Sequence, residues 1–180
     1  MIEGLNHKEI AKQIKASGKH GYLIWSRQKK QHFISNRHFL LNVEEVPSEI
    51  LISLFAIFLK IPAVGETLVC NFGRVQDEES QKPIKFDQIY MPDKQSIKGQ
   101  VTPFIKDYGD KISMRIIKFP DRFTYINEQY MKMTSDREPI STDIAMAPVY
   151  FADNSLILLP YRINDKPEES ILTGLIGETD

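Results

Sequence analysis

The sequence predicts one α+β domain, and three observations carry that expectation. Two stretches, 6–17 and 47–60, read as helices. Short runs rich in aromatic and β-branched residues, separated by polar turns, read as strands. Two apolar runs within 147–163 meet at Ala152-Asp-Asn-Ser155 and read as a closing hairpin. A chain of 180 residues is long enough for one domain with a real core plus a sizeable insertion.

Taken in order, 6–17 is the first helix. Asn6 can cap it, and Glu9 sits at the capping-box position. Ile10 and Ile14 point one way. Lys8, Lys12, Lys15 and Lys19 recur at spacings of four, three and four, so they form one stripe if the helix reaches Lys19. Strands follow at 22–26, 32–35 and 39–43, joined by the polar turn 28–31 and the tight turn Asn36-Arg-His38. The second helix, 47–60, has Pro47 in its first turn, where a missing N–H costs nothing. From Ile50 to Leu59 it is apolar on nearly every side, the mark of a helix that is buried or covered by a partner.

Residues 67–75 and 84–91 are expected to pair across the polar loop 76–83. A polar connector spans 93–99, and 101–106 reads as one helical turn. Residues 111–119 read as a strand with alternation at Ile112, Met114 and Ile116, broken at Pro120-Asp-Arg122 and continued by 123–126. Residues 127–133 form a short helix that Asn127 can cap, and the closing hairpin follows. Residues 164–180 turn polar and then mix Ile171, Leu172, Leu175 and Ile176 with glycines and acids. They read as a flexible tail with a weak amphipathic segment.

Composition excludes several classes of protein. Net charge is −1, so any nucleic-acid contact has to come from a local basic patch. One cysteine, Cys70, leaves no internal disulfide and no multi-cysteine zinc site, and a cytoplasmic setting is expected. Residues 1–7 lack a basic region followed by an apolar run, so no signal peptide is expected. The longest apolar run, Ile50 to Leu59 with Ser53 inside it, is shorter than the ~20 residues that cross a bilayer.

The order strand–helix–three strands, twice over, resembles one domain of a bacterial-type DNA sliding clamp. In the second half 111–126 supplies the leading strand, 127–133 the helix and 141–163 the other strands. The phrasing is similar to the last domain of the polymerase III β clamp in three places. These are Asn127, Tyr130 and Met131 at the helix start; Ala147, Pro148 and Val149 opening a strand; and Leu159, Pro160, Arg162 and Ile163 ending one. The first half resembles the same unit with its leading strand missing or very short. Small clamp-like proteins of phage and prophage origin look similar in both halves. The resemblance covers 5–45 and 111–163. It implies a clamp-like α+β domain over 1–163, made of two βαβββ half-units, with a helix and hairpin inserted at about 46–110. Clamp rings hold six such units, so a ring of this chain would take six copies.

The resemblance also implies sites. Clamp helices face the phosphate backbone, which makes Lys8, Lys12, Lys15 and Lys19 DNA-binding candidates, extended by Lys29 and Lys30 in the following turn. The plainer reading is a solvated helix face. Leu159 and Pro160 match residues that line the clamp family's apolar peptide pocket; the plainer reading is the end of a core strand. Phe55 and Phe58 lie in the apolar helix, whose Leu51-Ile-Ser-Leu-Phe55 is loosely similar to a clamp-binding peptide without its glutamine. Core packing or self-association is the plainer reading there. His7, His20, His32 and His38 lack zinc-motif spacing, and no phosphate loop, nucleotide-binding glycine fingerprint or Gly-x-Ser-x-Gly elbow is present. No metal, cofactor or catalytic residue is therefore expected.

Two functions follow as expectations. One is a non-enzymatic, clamp-like phage or prophage protein that binds DNA, a replication or repair protein, or both. The other is a protein–protein interaction module, such as a phage inhibitor of a host system, that self-associates through 50–59.

Overall fold

The computed structural model describes residues 3–76, 96–109, 112–164 and 166–176, with the side chains of 175 and 176 excepted. Asn6 is extended and its side chain accepts from the Glu9 N–H, so α1 (His7–His20) begins where the sequence places it. The helix runs three residues past its expected end, through Gly18, because Gly18 lies directly against Ile57. A Cβ there would stand 2.6 Å from the Ile57 Cδ1.

Three antiparallel strands follow, β1 (Tyr22–Gln28), β2 (Gln31–Ser35) and β3 (Phe39–Val43). α2 (Ser48–Phe58) packs beside α1. β4 (Thr67–Asn71) and β5 (Arg74–Val75) turn on Phe72 and Gly73, both at positive φ, so the strand expected over 67–75 is itself a hairpin. Its expected partner, 84–91, lies outside the described residues, as does most of the loop 76–83.

β6 (Ser96–Lys98) occupies part of the expected connector. β7 (Gln100–Asp107) replaces the helical turn expected over 101–106. β7 is an edge strand whose register to β8 (Ser113–Lys118) shifts between Val101 and Ile105. Pro103 sits in that irregularity, where its missing N–H breaks no ladder bond. β9 (Phe123–Asn127) does not continue β8 but reverses on it, because Phe119 and Arg122 exchange backbone bonds around Pro120-Asp121. α3 (Glu128–Met131) is a single turn, its Gln129 N–H received by the Asn127 side chain. β10 (Ile140–Thr142), β11 (Val149–Phe151) and β12 (Leu156–Leu158) complete the strands.

Among the described residues nine strands form one sheet in the order β5-β4-β1-β2-β3-β12-β11-β10-β6, and β7-β8-β9 form a second. Each of α1 and α3 is followed by three consecutive strands. These two sets join through their last members, Leu41↔Leu156, Leu40↔Ile157 and Phe39↔Leu158. The fold is thus α+β with antiparallel sheets. The segment expected as an insertion is woven into it, since β4 pairs with β1 and β6 with β10.

The main core gathers on one face of the large sheet. Ile10 and Ile14 of α1 and Ile50, Leu54 and Phe58 of α2 meet Leu23, Trp25, Ile34, Leu41 and Leu158 there. Alternate residues, Ile24, Phe33, Leu40, Val69, Tyr150 and Ile157, form a second buried cluster on the other face.

The stretch expected as a flexible tail carries α4 (Glu168–Ile176). Leu172 is buried against Met114, Ile116, Tyr125 and Ile163. Lys106 donates to both Glu168 carboxylate oxygens at 2.7 and 2.9 Å, and the Tyr125 hydroxyl donates to Glu168 at 2.9 Å. An apolar anchor and a charged one together hold a segment whose sequence alone looks too polar to dock. Burial acts to raise the Glu168 carboxyl, but the Lys106 ammonium, a backbone N–H and the Tyr125 hydroxyl outweigh it and hold it below 4.5. A carboxyl depressed in the folded state stabilises docking above the ordinary carboxylate range. That contribution fades as pH falls through the folded value. Hydrogen exchange of the 168–176 amides should therefore show protection that is full at neutral pH, drops in acid, and is lower at neutral pH in Glu168→Gln.

Candidate functional site

The four lysines of α1 are all exposed, and among the described residues Lys12 alone of the four has a carboxylate partner, Glu9 at 3.4 Å. They form a cationic ridge along the helix, as 100° steps dictate. Lys29 and Lys30 are also exposed, in the two-residue turn between β1 and β2, at the far end of β1 from Lys19. There Arg27 exchanges backbone bonds with Gly65 and Glu66.

The two phenylalanines offered as partner-binding separate. α2 buries Ile50, Ser53, Leu54 and Phe58 on one stripe. Phe58, 5% exposed and 6.1 Å from the Trp25 ring, is a core residue, which corrects the expectation for it. Phe55, one helical step round, is 49% exposed beside Ile52 and Leu59. Between the helices lies a 480 Å³ cleft with an apolar floor, bordered by Lys8, Lys12, Lys15 and Glu49.

Leu159 and Pro160 follow β12 at the surface. The Leu159 N–H donates to the His38 carbonyl at 2.9 Å, which brings the strand end against the β2–β3 turn. Both residues line a cavity of about 520 Å³ together with Arg37, His38, Tyr161 and Arg162. A second cavity of about 390 Å³ shares Arg37, His38, Gln129 and Tyr130 with the first and reaches His20, Tyr22 and Phe72. The two cavities adjoin at these four shared residues, and the pair is called the groove below.

The groove rests on Asn36, which is buried. Its Oδ1 accepts from the His38 and Phe39 N–H groups, each at 3.0 Å. Its Nδ2 donates to the Ser17 hydroxyl at 3.0 Å and to the Tyr130 hydroxyl at 3.2 Å. One side chain thereby ties the turn to α1 and to α3. Burial pushes the Tyr130 phenol up, opposed by the Asn36 contact, so the hydroxyl stays protonated. Arg37 stands at φ 76, a left-handed conformation, with its N–H received by the Ser35 hydroxyl. Its guanidinium lies 3.9 Å over the Tyr22 ring, and His38 stacks on Tyr130 at 5.8 Å.

Elsewhere the polar chemistry is inward. The Trp25 indole donates to His32 Nδ1 at 3.1 Å, and burial together with the Arg27 charge pushes the His32 pKa down, so His32 is a neutral acceptor. The Cys70 thiol is buried against the Gly18 carbonyl at 3.4 Å, and burial raises its pKa. Among the described residues no three His, Cys, Asp or Glu side chains converge on a metal position. None of the helices among them is long and apolar enough to cross a membrane.

Sequence reasoning found Leu159 and Pro160 but missed Arg37, His38 and Tyr22, which the fold brings to the same groove. The available signal was Asn36-Arg-His38 itself, an Asn-led turn that displays two basic side chains between apolar strands. Comparison of the chain with protein-family models, curated proteins and solved structures finds no match in any of the three.

Asn36→Ala should cost about 1–3 kcal/mol in denaturant unfolding, since it leaves buried partners unpaired. Tyr130→Phe, which removes one hydroxyl, should cost about 0.5–1.5 kcal/mol. Equal, near-zero losses in both would show that the groove does not depend on this network.

Proposed function

We propose that the protein is a non-enzymatic, clamp-like DNA-contacting protein of phage or prophage type, acting beside the replication or repair machinery. The observation that carries this reading is the exposed lysine ridge of α1. Lysines on a helix surface suit sequence-independent contact with phosphates, because each releases a condensed counterion without reading a base. The setting supports the reading: two helix-plus-three-strand sets joined edge to edge are the arrangement a clamp unit would need. The pairing of α1 with α2, and the shortness of α3, are features particular to this chain.

A second reading is favoured by one observation, the exposed apolar side chains of α2. Ile52 is 67% exposed, and Leu59, the residue that caps the helix, is 75% exposed. A protein-binding or self-associating module would use that face, as an inhibitor of a host system would.

The DNA reading is tested by binding to a short duplex at two salt concentrations. Four phosphate contacts imply a slope of about −3.6 in log affinity against log salt, or about a hundredfold loss between 50 and 200 mM. Replacing Lys8, Lys12 and Lys15 together by Glu should abolish the interaction. Salt-insensitive binding, or binding that survives the triple change, would refute the ridge as a DNA contact. Light scattering on the wild type and on Phe55→Glu separates the second reading. An oligomer that Phe55→Glu dissolves would assign the α2 face to self-association.

A further inference from the structure

We propose that the groove around Arg37 is a binding site for single-stranded nucleic acid, separate from the lysine ridge. Its charge is the first argument. The chain carries 24 acidic and 23 basic residues, yet among the described residues none that lines the groove is a carboxylate. Three other cavities among the described residues do carry acids: Glu44 and Asp153 in one, Asp121 and Glu169 in another, and Glu49 in the cleft between the helices. Arg37 and Arg162 face the groove without a carboxylate partner among the described residues, with His20 and His38 beside them. Arginines held out of ion pairs in a net-acidic protein mark a place that attracts anions.

The second argument is geometry. The Arg37 guanidinium carbon lies 3.9 Å from the centre of the Tyr22 ring, a cation–π contact that holds the group at the groove, and its N–H groups suit a phosphate. Aromatic rings stand at both ends. Phe72 is 70% exposed on the β4–β5 turn at one end, and Tyr161 at the other packs edge-on against Tyr108 at 6.0 Å. Cationic side chains along a groove with accessible rings are the two components of single-strand recognition: phosphates track the cations and unpaired bases stack on the rings. A duplex, its bases already stacked, cannot use Phe72 or Tyr161. An acidic peptide would satisfy the charges but would leave the rings without a stacking partner.

The site is also distinct in place. On α1 the groove takes the flank of Gln13, Ala16 and His20, whereas the lysines occupy the ridge next to it.

The test is fluorescence anisotropy with labelled oligodeoxythymidylate of about 12 nucleotides, within the range one such groove accommodates. A duplex of the same length and oligo-glutamate serve as comparison probes. The wild type should bind the single strand, and Arg37→Gln with Arg162→Gln should weaken that binding at least about tenfold. Phe72→Ala, on an exposed turn where folding is not at stake, should weaken it by about the same factor through lost stacking. Duplex binding should stay within about twofold in these variants, whereas the lysine-to-glutamate variant should lose the duplex. The groove and the ridge can therefore fail independently. The proposal is overturned if the single strand does not bind at low salt, if Phe72→Ala binds it as wild type does, or if oligo-glutamate binds as tightly and responds to the same variants.

Discussion

Three residue pairs between β3 and β12 set the positions of nearly everything else. Phe39, Leu40 and Leu41 face Leu158, Ile157 and Leu156, and the Asn42 N–H extends the ladder to the Ser155 carbonyl. Because the pairing is antiparallel, β12 leaves the sheet beside the turn that opens β3. Arg37 and Arg162, far apart in sequence, thus reach the same groove. A one-residue slip would turn Leu41 and Leu156 to the opposite face, exchanging the contents of two buried clusters. Register is costly to change here because both faces of the sheet are apolar.

The smaller sheet is fastened to this frame by charge as well as packing. Arg115 donates to both Glu128 carboxylate oxygens, at 2.8 and 2.6 Å, and to the carbonyls of Thr102 and Pro103. A planar guanidinium shared in this way ties β7, β8 and the start of α3 together, with geometry a lysine could not supply. Ile117 and Ile126 face the main core, whereas Met114, Ile116 and Tyr125 face Leu172 of α4. The small sheet is therefore a layer between the main core and the C-terminal helix.

What was legible in the sequence was local. β1 to β3, the Asn6 and Asn127 caps and the closing hairpin rest on propensity and turn chemistry, and those survive the environment. What was not legible depended on partners distant in the chain. β7 reads as a helical turn until β8 is laid beside it. Phe123 to Ile126 reads as a continuation because a sequence does not show that Phe119 and Arg122 bond to each other. Phe58 and Phe55 are the same residue type on the same helix, and only the position of Trp25 decides which is core. Of the candidate site, the lysine ridge followed from spacing alone. The groove needed the seam between β3 and β12, which no local pattern encodes.

The solitary thiol carries a practical corollary. Cys70 sits on β4 beneath the C-terminal turn of α1, its thiol kept protonated by burial. A maleimide can reach it only when that strand lifts away from the helix. The native chain thus carries a silent alkylation reporter, and a second cysteine introduced at the surface can take a dye or cross-linker without competition from the first.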